Sequence, residues 1–89
     1  MKTTTVLTIA LLVASPLLYA GEDIAVTDLP KEVTSAIEAK FPGAKLIKAE
    51  KETERGELRY EVKIESGAER HEIDLTASGE ILKIEKKRK

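Results

Sequence analysis

The stretch KFPGAKLIKAEKE, Lys40 to Glu52, decides the fold, because the apolar period changes inside it. Upstream, in LPKEVTSAIEAKF, the residues Leu29, Val33, Ala36, Ile37 and Phe41 stand at relative positions 0, 4, 7, 8 and 12. That spacing is one face of an α-helix. Pro30 suits the first turn, where its missing N–H is no loss. Thr27 or Asp28 is placed to cap it. At the other end Pro42 disfavours helical geometry at Phe41, and Gly43 allows the chain to reverse. Downstream of Ala44 the apolar residues alternate with charged ones, the period of a half-buried strand.

The clearest strand is LRYEVKIE, with Leu58, Tyr60, Val62 and Ile64 against Arg59, Glu61, Lys63 and Glu65. RHEIDL repeats the pattern with His71, Ile73 and Leu75, and EILKIEK with Leu82 and Ile84. AKLIKAEKET carries Ile47 and Ala49 on its apolar side and reads as a lysine-guarded edge strand. A glycine marks each intervening turn, at Gly56, Gly67 and Gly79. Register tests this arrangement, since a slip of one residue turns a whole apolar set outward. Placing Thr53 opposite Leu58 sets Ala49 against Val62 and Ile47 against Ile64. Placing Ser66 opposite Glu69 sets Val62 against Ile73. Placing Thr76 opposite Ile81 sets Leu75 against Leu82 and Ile73 against Ile84. All three hairpins then share one apolar face. The expected fold is α+β in the order α-β-β-β-β: one N-terminal helix packed on a four-stranded antiparallel meander. Its expected core is Leu29, Val33, Ile37, Phe41, Ile47, Tyr60, Val62, Ile64, Ile73, Leu75, Leu82 and Ile84.

The first twenty residues differ in kind. MKTTTVLTIALLVASPLLYA has one cation, Lys2, an apolar run from Val6 to Ala14, and a break at Ser15 and Pro16. This is the order of a secretory signal peptide, with cleavage expected after Ala20. The run is too short for a spanning helix, which needs roughly 20 apolar residues. Residues 1–20 are therefore expected to be a signal peptide, 21–28 a flexible lead-in, 29–86 the folded domain and 87–89 a basic tail. Export to the periplasm or beyond follows, with no integral membrane segment after cleavage.

Composition excludes several functions. The 89 residues contain no cysteine and one histidine, so neither a thiol nucleophile nor a Cys/His zinc site is available. Charged residues make up 35% of the chain, yet the formal net charge is only -1. Nucleic acid needs a concentrated basic face and is not expected as a partner. No phosphate-binding glycine loop or nucleophile elbow occurs, so no enzyme activity and no cofactor are expected. His71 falls on the apolar face and reads as a packing residue. What remains is the charged side of the sheet. Arg59, Glu61, Lys63, Arg70, Glu72 and Lys83 form the candidate partner-facing surface. Its carboxylates also keep open a second reading, a small ligand or a hard cation such as calcium. Lysines along the first and last strands oppose edge-to-edge pairing, so a monomer is expected.

The run DLPKEVTSAIEAKFPGAKLIKAEKETERGELRYEVKIESG, with the later HEIDLTASGEILKIE, resembles the PepSY-like family of exported bacterial proteins. The matching features are the LP..V..AI...FPGA helix and its break, AEKE...G...YEV, and the final hairpin. The resemblance implies a helix on an antiparallel sheet, as in one half of the β-lactamase-inhibitor-protein-like fold. It also implies a non-enzymatic role in the periplasm or outside the cell. Related domains occur in metallopeptidase propeptides and are proposed to inhibit peptidases. The family defines no catalytic residues to carry over. Two-domain inhibitors use tandem repeats and aromatic anchors. This chain has a single repeat and no tryptophan.

Overall fold

The computed structural model describes residues 21–88; the expected signal peptide lies outside the described residues. The elements in order are β1 (Glu22–Ile24), a 3-10 turn (Val26–Asp28), α1 (Lys31–Lys40), β2 (Lys45–Glu54), β3 (Glu57–Ser66), β4 (Glu69–Thr76) and β5 (Ile81–Lys87). The strands form one five-stranded antiparallel sheet in sequence order, β1 to β5.

The α+β class and the meander therefore hold, with two corrections. The sheet has five strands rather than four, and the helix follows the first strand rather than preceding the sheet. Glu22, Asp23 and Ile24 pair with Lys51, Glu50 and Ala49. The expected lead-in is thus largely hydrogen-bonded structure, and the middle of β2 is not an edge. β5 reaches Lys87, one residue into the expected basic tail.

Helix α1 begins after Pro30, which occupies the N-cap position with no side-chain cap from Thr27 or Asp28. The carbonyl of Pro30 instead accepts the amides of Val33 and Thr34. Phe41 closes the helix by donating its N–H to Ile37, and Gly43, at φ +77°, reverses the chain. Its amide is held by the Glu38 carboxylate at 3.2 Å. Val33 and Ile37, one turn apart, are fully buried against Ala49, Val62, Ile64, Ile73 and Leu75. Leu29 and Tyr60 complete the core, and Phe41 packs on its margin beside His71, with ring centroids 4.7 Å apart.

Three expected core residues are exposed: Ile47 (43%), Leu82 (42%) and Ile84 (38%). Two bulges explain the first pair. In β2 the register runs Leu46–Ile64 and then Lys48–Lys63, which leaves Ile47 as the extra residue. Leu46 takes the inward place. In β5 Leu75 faces Ile81 and Asp74 faces Lys83, so Leu82 is the extra residue and Ile81 packs inward. Ile84 does pair with Ile73 as expected, but it lies on the last strand, at the rim of the core cluster.

Gly79 is needed for a separate reason. Its φ is +95°, and a Cβ there would lie 2.5 Å from the Glu32 carbonyl oxygen. The β4–β5 turn thus rests directly on the first turn of α1.

Candidate functional site

The alternation that buries Tyr60, Val62 and Ile64 places Arg59, Glu61 and Lys63 on the opposite side of the sheet, and β4 does the same for Arg70, Glu72 and Asp74. All six expected surface residues, Arg59, Glu61, Lys63, Arg70, Glu72 and Lys83, occupy this outer face. They do not form one cluster. Arg59 turns toward the β2–β3 hairpin and binds Glu54 at 2.8 Å. Lys63 lies 3.9 Å from Glu72, and Arg70 donates to Glu65 at 3.3 Å. Lys83 contacts Glu85 at 3.8 Å.

Strand register gives the face its pattern. Asp23 faces Glu50, Glu50 faces Glu61, and Glu61 faces Asp74. Four carboxylates thus cross four strands in one row, with Lys83 opposite the last of them. Like charges directly opposed across a ladder are destabilising. Glu52 joins the row diagonally: carboxylate oxygens of Glu50, Glu52 and Glu61 lie within 4.8 Å of one another. The consequence is a proton held above the ordinary carboxylate range. Partial burial, then repulsion from Glu72, Asp74, Glu52 and Glu50, raises the Glu61 pKa to about 7. Burial and the charge of Asp74 also raise Glu52, and burial raises Asp74 against the pull of Lys83.

Residue types along this face alternate in sign, but the register of Ala49 with Val62 and of Val62 with Ile73 brings the carboxylates into one row. Lys48 offers partial compensation, at 3.9 Å from Asp23 and 3.7 Å from Glu50. The convergent oxygens of Glu50, Glu52 and Glu61 are of the type a hard cation takes.

On the inner face His71 is buried. Its Nε2 lies 3.3 Å from Glu69, while Nδ1 is buried without a hydrogen-bond partner. Its ring stacks on Phe41, so it acts as packing at the end of the helix.

Among the described residues, no helix is long and apolar enough to cross a membrane. No curated protein and no solved structure matches the chain. The model of the PepSY family, described as "Peptidase propeptide and YPEB domain", matches residues 30–85, from the helix cap to β5. That match spans more than half the chain and every element of the described domain except β1 and the turn after it, and the chain therefore belongs to the PepSY family.

Proposed function

We propose that the protein is a small exported regulatory module. It acts by contact on a protein partner such as a peptidase, in the periplasm or outside the cell, and has no catalysis of its own. The outer sheet face is its contact surface. The observation that carries this reading is the carboxylate row Asp23–Glu50–Glu61–Asp74, a repulsive register that a partner's cations would relieve. Family membership supports the partner class, and the signal-like residues 1–20 support export. The lysines of β5 guard the free edge of the sheet and favour a monomer.

The test is capture from an envelope extract on immobilised protein, with peptidase activity measured in the eluate. The control carries Glu61→Lys and Asp74→Lys, which break the row. The reading predicts a partner retained by the wild-type face and lost by the control. Equal capture by both, or capture by neither, would overturn it.

A cation held by Glu50, Glu52 and Glu61 is the competing reading, favoured by their mutual approach within 4.8 Å. Binding to the native state must raise stability. Under the partner reading, millimolar calcium, magnesium or zinc leaves the melting temperature unchanged. A rise that disappears in Glu61→Gln would favour the cation.

A further inference from the structure

The outer face has a second region, at the far end from the β2–β3 hairpin. There the bulge in β2 turns Ile47 away from the core and leaves it 43% exposed. Bulges often serve to re-aim a side chain next to a site. Ile47 lines a cup of about 270 Å³, together with Lys63, Arg70, Glu72, Lys87 and Arg88, and with His71 of β4 between Arg70 and Glu72. The cup is thus apolar at one point and ringed by four cations against one carboxylate.

That carboxylate is already engaged. Glu72 is only 15% exposed and lies 3.4 Å from Lys87 and 3.9 Å from Lys63. Arg70 is held by Glu65 and Lys87 also by Glu85. Among the described residues Arg88 has no acidic partner. Counting Glu65 and Glu85 with Glu72, the rim keeps one positive charge in excess. Its cations are arranged around a concave floor, where an arginine fork can take a carboxylate through paired hydrogen bonds.

The geometry points to a binding site for an acidic peptide segment, one that seats an apolar side chain on Ile47 and a neighbouring carboxylate among Arg70, Lys87 and Arg88. This rests on the reading that the outer face meets a protein. The size fits one or two side chains, being below the usual range of roughly 300–1,000 Å³ for a drug-sized ligand. The apolar floor has no role for inorganic phosphate. The interleaved Glu65, Glu72 and Glu85 repel a multiply charged anion or an anionic bilayer. The acidic row in the middle of the face and this cationic cup at its end also give the face a direction.

The experiment is an NMR titration of the ¹⁵N-labelled protein at about 0.15 M salt, where long-range attraction is screened. The probe is the blocked peptide acetyl-Gly-Leu-Glu-Gly-amide, with one apolar side chain and one carboxylate. Its comparators are the same peptide with lysine for glutamate, inorganic phosphate, and phosphatidylglycerol vesicles. The expected result is saturable shifts at Ile47, Lys63, Arg70 and Lys87 with the glutamate peptide alone. Arg70→Gln should weaken binding by about tenfold, the loss of one charge-assisted contact. Ile47→Ser should weaken it several-fold. Both side chains are exposed enough to be replaced without loss of fold, which the dispersion of the spectrum verifies. Absence of saturation, equal binding of the lysine peptide, or tighter binding of phosphate or vesicles would overturn the site. So would unchanged affinity in both variants. Peptide binding without capture of any protein would leave the cup standing and remove the partner reading. Capture without peptide binding would do the reverse.

Discussion

Replacing Glu61 by glutamine tests the carboxylate row through its effect on stability. In the folded protein the Glu61 carboxyl titrates near 7, against an ordinary value of 4.5. The folded state therefore holds a proton that the unfolded chain releases. Stability from this group is full below about pH 4.5 and is lost as pH rises through about 7. At roughly 1.4 kcal/mol per unit the gap would be worth about 3 kcal/mol. Glu61 is only partly buried, so water and side-chain rearrangement reduce this to about 1–2 kcal/mol. Glutamine keeps the shape and removes the charge. Wild type and Glu61→Gln should thus be nearly equal in stability at pH 4.5 and diverge above it. At pH 8 the variant should be more stable by about 1–2 kcal/mol, and a domain of this size then melts roughly 4–16 °C higher. The assay is thermal melting of both proteins from pH 4.5 to 8. Taking their difference cancels the opposite contribution of Glu69, whose carboxyl is lowered by Lys86 and His71. Parallel melting curves, or a wild type that gains on the variant as pH rises, would refute the reasoning.

Further outcomes follow from the packing. Gly79→Ala should cost about 2–4 kcal/mol, because a Cβ meets the Glu32 carbonyl at 2.5 Å in a positive-φ turn. Gly67→Ala, with φ +63° and open space around it, should cost only about 1–2 kcal/mol, so the difference in melting temperature measures the close approach. Ile37→Ala, at the centre of the helix–sheet contact, should cost about 2–5 kcal/mol in urea unfolding. Leu82→Ala, at an exposed bulge, should stay within about 1 kcal/mol of wild type in the same measurement. Sedimentation at micromolar concentration should give the mass of a single chain, and a doubled mass would contradict the guarded edge.

The sheet was legible in sequence because hairpins of this length leave little choice of register. Thr53 with Leu58, Ser66 with Glu69 and Ile73 with Ile84 all pair as the alternation requires. The failures occur where two apolar residues adjoin. In Leu46–Ile47 and in Ile81–Leu82 either residue could face inward, and only a bulge, invisible to a period-two pattern, decides between them. β1 was missed because three residues, Glu22, Asp23 and Ile24, are too few to show any period. Its strand exists through pairing with β2, a tertiary contact. Alternation placed Arg59, Glu61, Lys63, Arg70, Glu72 and Lys83 on one side of the sheet, but not their order along it. Residue types alone gave mixed signs, whereas register stacks Glu50, Glu61 and Asp74 in one line and leaves the cations beside Ile47. Nothing short of the bulge position could place that cup.

The central claim is that the protein works through the outer face of its sheet. Photo-crosslinking in the living cell tests it most directly, with a crosslinking residue at Lys63 on that face or at Ser35 on the exposed side of the helix. The account predicts a discrete protein adduct from position 63 and none from position 35. An adduct from the helix position alone, or from neither, would contradict it.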